Sequence, residues 1–374
     1  MPAASARGKR RAARRPHSPA AVRYDAERNP GRPRGLFDRQ GDKPMCQYQQ
    51  QAPEFRPGPA EAASRLRMQS ALLSLTIIVN ILCLYLVQSD TVIGWIVGAL
   101  DRAGAGQRGF AIANELFSLA VYLTVFLLPY LAYAKVLGFR LRQVPHDPPH
   151  PPILAASAAV VLGLSVIGVL LSLAASIFFS FFGLLPADLP MEIPGDPAAA
   201  ALYIFNATAL PALIEEFAYR GVVLGSLRPF GDRFAIVVSA LLFGLLHRNM
   251  VQFPNAFLLG AALGYFMVKT NSIWTSMAIH FLNNFLVVLL SIVTVNMSDL
   301  GTLALQGLEF LVYLGAGGLG FWYLFQKLAL DGSLRPCGCP LRERTRYRRF
   351  FVNFPMLLLL ALYLRIFYLS FTRM

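Results

Sequence analysis

Charged side chains are scarce in this chain of 374 residues. Asp, Glu, Lys and Arg together make up 14% of it, whereas hydrophobic residues make up 56%. Soluble globular proteins carry roughly 25% charged residues. This deficit excludes an ordinary soluble enzyme and, with a mean hydropathy of +0.51, predicts a multi-pass integral membrane protein.

Cysteine is also rare. The four cysteines are too few and too scattered for a disulfide framework: Cys46, Cys83, Cys337 and Cys339. The Cys337-Gly-Cys339 pair has three interpretations: a reactive or lipidated pair beside the membrane, half of a zinc site, or an ordinary reduced loop on the inner side. Since only two cysteines lie there, the ordinary loop is favoured.

Acidic residues are outnumbered by basic ones at both ends of the chain. Residues 1–67 hold 15 Lys and Arg against 6 Asp and Glu, and residues 327–350 hold 7 against 2, whereas residues 68–326 hold 10 against 12. The positive-inside rule predicts that both basic flanks are cytoplasmic. Nucleic-acid binding is the rival explanation of the Arg-rich stretch Gly8 to Arg15. Attraction to anionic lipid explains it as well and is preferred, so no nucleic-acid partner is expected.

Hydropathy divides the chain into three segments. Residues 1–67 lack an apolar period and a signal-peptide core, so we expect a disordered, cytoplasmic basic tail. Residues 68–330 are expected to form the membrane domain, and residues 331–374 a basic cytoplasmic loop followed by an apolar C-terminal helix. The apolar segments predict an all-α bundle of eight or nine transmembrane helices, with 91–100 as an interfacial segment. The predicted spans are 70–88, 112–134, 153–183, 200–227, 234–252, 254–269, 272–295, 303–327 and 355–371.

Two adjacent carboxylates interrupt the apolar stretch Pro211 to Leu227. A charged side chain at bilayer depth costs at least about 2.5–3.5 kcal/mol, so such residues usually face a protein interior or a wet cavity and serve a function. On a helix, Glu216 and Arg220 share a face, whereas Glu215 points about 100° away from Glu216. Arg220 can therefore pair with Glu216, which leaves Glu215 free to face a cavity as a general base.

Two of the five histidines lie at apolar depth. His247 follows Phe243 by four residues, and His280 precedes Asn284 by four, so each pair shares a helical face. A single histidine in an apolar helix is more often a packing residue. Two histidines, an Asn and a Glu pair on three different helices are better explained by one shared polar site, because unpaired polar groups are costly in lipid.

The order and spacing of these residues resemble a known family. The motifs Glu215-Glu216-x-x-x-Arg220, Phe243-x-x-x-His247 and His280-x-x-x-Asn284 are similar to those of the CPBP intramembrane proteases, which include CAAX prenyl endopeptidases and bacteriocin-processing enzymes. The resemblance covers about residues 200–295. It implies a helical membrane enzyme with a polar intramembrane cavity. The sequence FGLLHRN around His247 resembles that of bacterial members, which implies that the protein lies in a bacterial cell membrane.

The resemblance also implies roles for individual residues. Glu215 would be the general base that activates water, and His247 would hold and polarise that water. His280 and Asn284 would stabilise the oxyanion of the tetrahedral intermediate. Three residues would support them: Glu216, Arg220 and Phe243. The implied substrate is a hydrophobic or lipidated peptide or protein.

No cofactor is expected. Two histidines with a glutamate could bind zinc, so a zinc-dependent version of the same protease is an alternative. The chain has no HExxH motif, however, and Asn284 suits an oxyanion hole better than a metal site, which favours a mechanism without metal. His146 and His150 lie in a Pro-rich linker without Cys or Glu beside them and are expected to be solvent-exposed.

Other functions have weaker support. The motifs of serine (GxSG) and aspartate (GxGD) intramembrane proteases are missing from the apolar spans. A non-catalytic scaffold or a bacteriocin-immunity-type binding protein could keep the same polar core, and a proton-coupled transporter is a further alternative. A transporter would usually show an internal repeat, and no second copy of the Glu pair is found. The presence of both Glu215 and His247 favours the enzyme.

A shared site also places a requirement on helix length. Glu215 and His247 reach the same depth only if the helix that bears Glu215 continues to Leu227 and the next helix continues past His247 to about Gln252. We therefore predict both extensions.

Overall fold

The computed structural model describes residues 57–186, 192–334 and 337–373. Most of the predicted basic tail, residues 1–56, lies outside the described residues. The Arg-rich stretch Gly8 to Arg15 and Cys46 are therefore outside them as well.

The last part of the predicted tail is helical, so the prediction of disorder up to residue 67 is wrong. The first helix begins at Pro59, since proline has a backbone φ suited to a first helical turn. Ala62 and Leu66 follow four residues apart and are fully buried. This apolar contact extends the helix before residue 68.

The described residues form eleven helices of more than two turns, a short 3-10 helix at Leu141–Gln143, and two short strands. The helices are α1 Pro59–Val87, α2 Asp90–Arg102, α3 Gln107–Val136, α4 Pro151–Ser180, α5 Pro197–Phe230, α6 Asp232–Leu246, α7 Phe253–Thr270, α8 Ile273–Thr294, α9 Asp299–Lys327, α10 Glu343–Phe351 and α11 Phe354–Leu369. Strands β1 Leu184–Pro186 and β2 Phe371–Arg373 pair antiparallel, with Leu185 opposite Thr372. Apart from this small pair, the described chain is helical, as predicted.

Six helices are long and apolar enough to cross a membrane: α1, α3, α4, α5, α8 and α9. Helices α10 and α11 meet at 71° and count as a seventh span only when taken together. The described residues thus hold six or seven candidate spans, fewer than the eight or nine predicted. The difference lies at 234–252 and 254–269, because α6 has 15 residues and α7 has 18. At 1.5 Å per residue, both are shorter than the roughly 30 Å of hydrocarbon.

The main core surrounds α5 and α6. Val222 of α5 and Phe234 of α6 have no exposed surface, and Leu359 of the C-terminal α11 belongs to the same cluster. The C-terminal segment is also tied to α1 by polar contacts. Asn353 caps α11, and its Nδ2 donates to Oγ of Ser70 at 2.9 Å. The first and last described helices therefore pack into one bundle.

Helices α4 and α9 approach each other closely at glycines. A Cβ atom on Gly163 would lie 2.9 Å from Cα of Gly317, and one on Gly320 would lie 2.6 Å from the carbonyl oxygen of Ala156. Within a bilayer, helices associate through close van der Waals packing, which small residues permit. These glycines hold α9 against the bundle.

Candidate active site

Helix α5 carries the two carboxylates near its middle. It bends at Thr208, where φ is −119° and ψ is −68°, and then continues through Glu215 and Glu216 to Leu227. The predicted extension of this helix to Leu227 is confirmed. Residues Phe217–Leu224 are wound as a π-helix, an irregularity that is frequent at functional sites.

Glu216 has two partners on its Oε1 atom. Nη1 of Arg220 lies 2.8 Å away, and Nδ1 of His280 on α8 lies 2.9 Å away. Neither Glu216 nor Arg220 has exposed surface, so this is an ion pair in the interior of the bundle. The pairing with Arg220 follows the i,i+4 spacing, whereas the contact with His280 was not predicted.

Phe243 of α6 lies between the buried arginine and the two histidines. The guanidinium carbon of Arg220 is 4.1 Å from the centroid of the Phe243 ring, a cation–π contact. The ring meets His247 and His280 edge-on, with centroid separations of 5.1 and 5.8 Å. A Cβ atom on Gly260 of α7 would lie 3.0 Å from the Phe243 ring. Close packing therefore fixes the ring that orients both histidines.

Helix α6 ends at Leu246, so its predicted extension to Gln252 is wrong. Arg248 adopts a left-handed φ of 53°, a conformation that terminates helices. The side-chain Oδ1 of Asn249 then accepts a hydrogen bond from the backbone N–H of Val251 at 2.9 Å, which begins a new turn. The chain reverses immediately after His247 instead of continuing as a helix.

His247 is held at the C-terminal cap of α6. Its Nδ1 lies 3.0 Å from the carbonyl oxygen of Phe243, and because a carbonyl can only accept, Nδ1 carries the proton. In the neutral ring, Nε2 is then a hydrogen-bond acceptor.

A cavity of about 400 Å³ brings together the four residues to which the sequence assigned chemistry: Glu215, His247, His280 and Asn284. Glu215 and His280 are 7% and 3% exposed, whereas His247 is exposed. The cavity is therefore closed around the carboxylate and open at His247. Its position within a bundle of apolar helices agrees with the intramembrane cavity that the sequence predicted.

Further polar groups lie at this cavity to which the sequence analysis gave no role. The Tyr122 hydroxyl of α3 donates to Oε1 of Glu215 at 3.4 Å. Nδ2 of Asn283 donates to Oδ1 of Asn284 at 3.3 Å, and Oδ1 of Asn283 accepts from Ser165 of α4 at 3.2 Å. Tyr122 is 93 residues before Glu215, so no local spacing links the two. Its place at the start of a π-helical turn is visible only in the structure.

The zinc alternative can be compared with the side chains present. Within the described parts of the chain, no group of three or more His, Cys, Asp or Glu side chains is placed to hold a metal ion. Nδ1 of His247 bonds a backbone carbonyl and Nδ1 of His280 bonds Glu216, so Nε2 is the ring atom that each histidine could offer to a metal. The residues around the cavity thus do not form a three-ligand zinc site.

Two other sets of residues lie away from the cavity. Sγ of Cys337 donates to the carbonyl oxygen of Phe230 at 3.0 Å and accepts from the backbone N–H of Cys339 at 3.2 Å. His146 and His150 are exposed, as predicted. None of these side chains lines the cavity around Glu215.

Comparison with known proteins identifies one similarity. Residues 197–286 match the family model described as Rce1-like, type II CAAX prenyl endopeptidase. The matched segment runs from the start of α5 into α8, so it contains all seven motif residues but not Tyr122. Comparisons with curated proteins and with solved structures found no match.

Proposed function

Because residues 197–286 match the Rce1-like CAAX protease family model, we propose that the protein is an intramembrane endopeptidase. It hydrolyses a peptide bond of a hydrophobic or lipidated peptide or protein with a water molecule activated by Glu215. The observation that carries the proposal is the placement of four groups from three helices around one cavity: Glu215, His247, His280 and Asn284.

Glu215 is the general base. Its neighbour Glu216 is occupied by Arg220 and His280, whereas Glu215 faces the cavity and accepts a hydrogen bond from Tyr122. The Glu215 carboxylate takes a proton from water as the water oxygen bonds to the peptide carbonyl carbon. When the tetrahedral intermediate collapses, the C–N bond breaks and Glu215 returns the proton to the leaving amine.

His247 holds the attacking water. Because Nδ1 donates to the carbonyl oxygen of Phe243, the ring is fixed and the Nε2 lone pair can accept a hydrogen bond from water. His247 lies at the open end of the cavity, where water can reach it from outside the bundle. This position supports a role in delivering water to Glu215.

His280 and Asn284 stabilise the oxyanion. Oδ1 of Asn284 accepts from Asn283, so the Asn284 amide nitrogen is left as a donor toward the substrate. His280 lines the same cavity and is anchored through Nδ1 to Glu216, so its ring is held in place beside the substrate carbonyl. Preorganised donors in a water-poor site are effective, since the loss of one oxyanion-hole donor typically lowers kcat by about 100- to 1,000-fold.

The proposal is tested by peptide cleavage with the purified full-length protein in detergent. Hydrophobic peptides, with and without a C-terminal prenyl group, are supplied, and the products are identified by mass spectrometry. Wild type and Asp101→Ala, an exposed control on α2, are expected to cleave, whereas Glu215→Ala and His247→Ala are not.

Each other outcome has a definite meaning. Cleavage that persists unchanged in both site variants would overturn the mechanism. Peptide binding without cleavage by wild type would favour the non-catalytic scaffold or immunity-type protein. Inhibition by a chelator that zinc reverses would favour the zinc-dependent protease.

A further inference from the structure

A second cavity, of about 540 Å³, lies where α5 ends and the chain turns into α8. Three arginines from three separate parts of the chain line it: Arg65 of α1, Arg142 of the loop after α3, and Arg228 at the end of α5. The proposed hydrolysis uses none of them. We call this site the arginine cavity.

One wall of the arginine cavity is a fixed loop. The backbone at His146 forms an antiparallel bridge with Ser272, and the backbone N–H of Ile273 donates to the carbonyl oxygen of Pro145 at 2.8 Å. The linker between α3 and α4 is therefore anchored to the first turn of α8. Arg142, which precedes this anchor by a few residues, is held near the other two arginines.

The polar groups of the arginine cavity are mainly donors. Asp147 is the one acidic residue among the described residues that line it, and its Oδ2 already accepts from Nδ2 of Asn271 at 2.9 Å. Arg228 uses Nε for Asp232 at 2.9 Å, which leaves the terminal nitrogens of its guanidinium outside that bond. Oε1 of Gln143 accepts from a backbone N–H, so its amide nitrogen is also a donor. A cavity with this lining favours an anion.

Phosphate is the anion that suits several guanidinium groups, because arginine donates paired hydrogen bonds to its oxygens. The arginines lie at the end of the bundle that the positive-inside rule assigns to the cytoplasm. Apolar side chains are exposed close to Arg142 along the chain, with Val136 67% and Leu141 46% exposed. A ligand with a phosphate head and apolar chains would satisfy both surfaces.

We propose that the arginine cavity binds the phosphate-bearing headgroup of an anionic phospholipid from the cytoplasmic leaflet. The headgroup contacts Arg65, Arg142 and Arg228, and the acyl chains lie along the apolar end of α3. This is a defined site between helices, distinct from a diffuse attraction of basic flanks to the membrane surface. It is independent of the proposed catalytic function.

Lipid bound here bridges α1, α5 and the loop that is anchored to α8. Since the ligand binds the folded protein, it should raise the thermal unfolding temperature, and above the Kd the rise should grow with the logarithm of the lipid concentration. The expected stabilisation depends on the lipid headgroup and on Arg142, whose exposed side chain can be changed without disturbing the core.

The test is thermal unfolding of the full-length protein in non-ionic detergent, titrated with phosphatidylglycerol or with phosphatidylcholine of the same acyl chains. Wild type should be stabilised by phosphatidylglycerol alone. Arg140→Gln is the matched control, because Arg140 is exposed in the same loop but does not line the arginine cavity. The control should respond like wild type, whereas Arg142→Gln should require about tenfold more lipid, as expected when one charge-assisted hydrogen bond is lost.

Several results would overturn the proposal. Equal responses of Arg140→Gln and Arg142→Gln would show that the lipid acts through general surface charge. Equal stabilisation by glycerol phosphate would identify a soluble phosphate compound as the ligand instead of a lipid.

If Arg142→Gln unfolds at a lower temperature than wild type even without lipid, Arg142→Lys replaces it in the test. This variant should still bind the lipid more weakly than wild type, since lysine lacks the paired donors.

Discussion

Glu215 and Glu216 are adjacent in sequence, yet the structure gives them different surroundings. Glu216 has no exposed surface and contacts Arg220 and His280, whereas Glu215 lies at the cavity beside Tyr122. A carboxylate that is already paired with an arginine is a poor proton acceptor, whereas one that faces a cavity can meet water. These contacts support the proposed division of roles, with Glu215 as the base and Glu216 as a supporting residue.

Tyr122 should assist catalysis through Glu215. In Tyr122→Phe the carboxylate loses the hydrogen bond of 3.4 Å that holds it in place, and because a misplaced catalytic group slows the reaction without weakening substrate binding, kcat should fall about tenfold with KM unchanged. Tyr203→Phe, on α5 and outside the cavity lining, is the control. A Tyr122→Phe enzyme with the kcat of wild type would contradict the role.

The Glu216–Arg220 pair should stabilise the fold. Removing one partner leaves a buried charge uncompensated, so Arg220→Met should lower the free energy of unfolding in mixed micelles by about 3–5 kcal/mol. The double variant Glu216→Gln/Arg220→Met removes both charges and should recover part of this loss. If the double variant is less stable than Arg220→Met, the pair does not compensate as described.

Among the helices, α4 and α9 depend on glycine for their contact. Gly317→Ala would place its Cβ 2.8 Å from Cα of Gly163, so the two helices would have to move apart. The free energy of unfolding should therefore fall by about 1–3 kcal/mol. Gly315→Ala on the same helix meets no atom within 4 Å and should be neutral or stabilising by up to about 1 kcal/mol. Unfolding in mixed micelles compares the two variants, and equal effects would refute the close packing.

Helix ends show where the sequence was sufficient and where it was not. The apolar run after Arg220 indicates that α5 continues to Leu227, and it does. The run that includes His247 looks equally apolar, yet α6 stops at Leu246 because Arg248 takes a left-handed conformation and Asn249 starts a new turn. Nothing in the residue types requires that conformation, so the end of α6 was not predictable.

The same contrast applies to the candidate site. Glu216 with Arg220 and His280 with Asn284 are four apart, and this helical spacing reveals their shared faces from sequence alone. Tyr122 reaches Glu215 only because α3 packs against α5, a tertiary contact that no motif encodes. The count of spans was too high for a related reason, since hydropathy does not distinguish a short buried helix such as α6 or α7 from one that crosses the bilayer.

At the scale of the described bundle, three arginines meet at one end. Arg65, Arg142 and Arg228 are distant in sequence but line one cavity. Helix α8 starts at this end and has 22 residues, a length of about 33 Å, so its far end should reach the opposite membrane face.

This arrangement predicts the orientation of the protein in the membrane. In a cysteine-free background, Arg140→Cys should react with an impermeant thiol reagent only from the cytoplasmic side, and Met297→Cys only from the opposite side. Both native residues are exposed, so the comparison isolates sidedness from burial. Reaction of both positions from the same side would contradict the topology.

The shared cavity is tested most directly by a catalytic double-mutant cycle with Glu215→Asp and His247→Gln, conservative variants that should retain a measurable rate. The kcat/KM values of wild type, both single variants and the double variant are compared in one cleavage assay. If Glu215 and His247 act on the same water, the double variant should be little worse than the poorer single variant. Losses that multiply as for independent sites would contradict a common site.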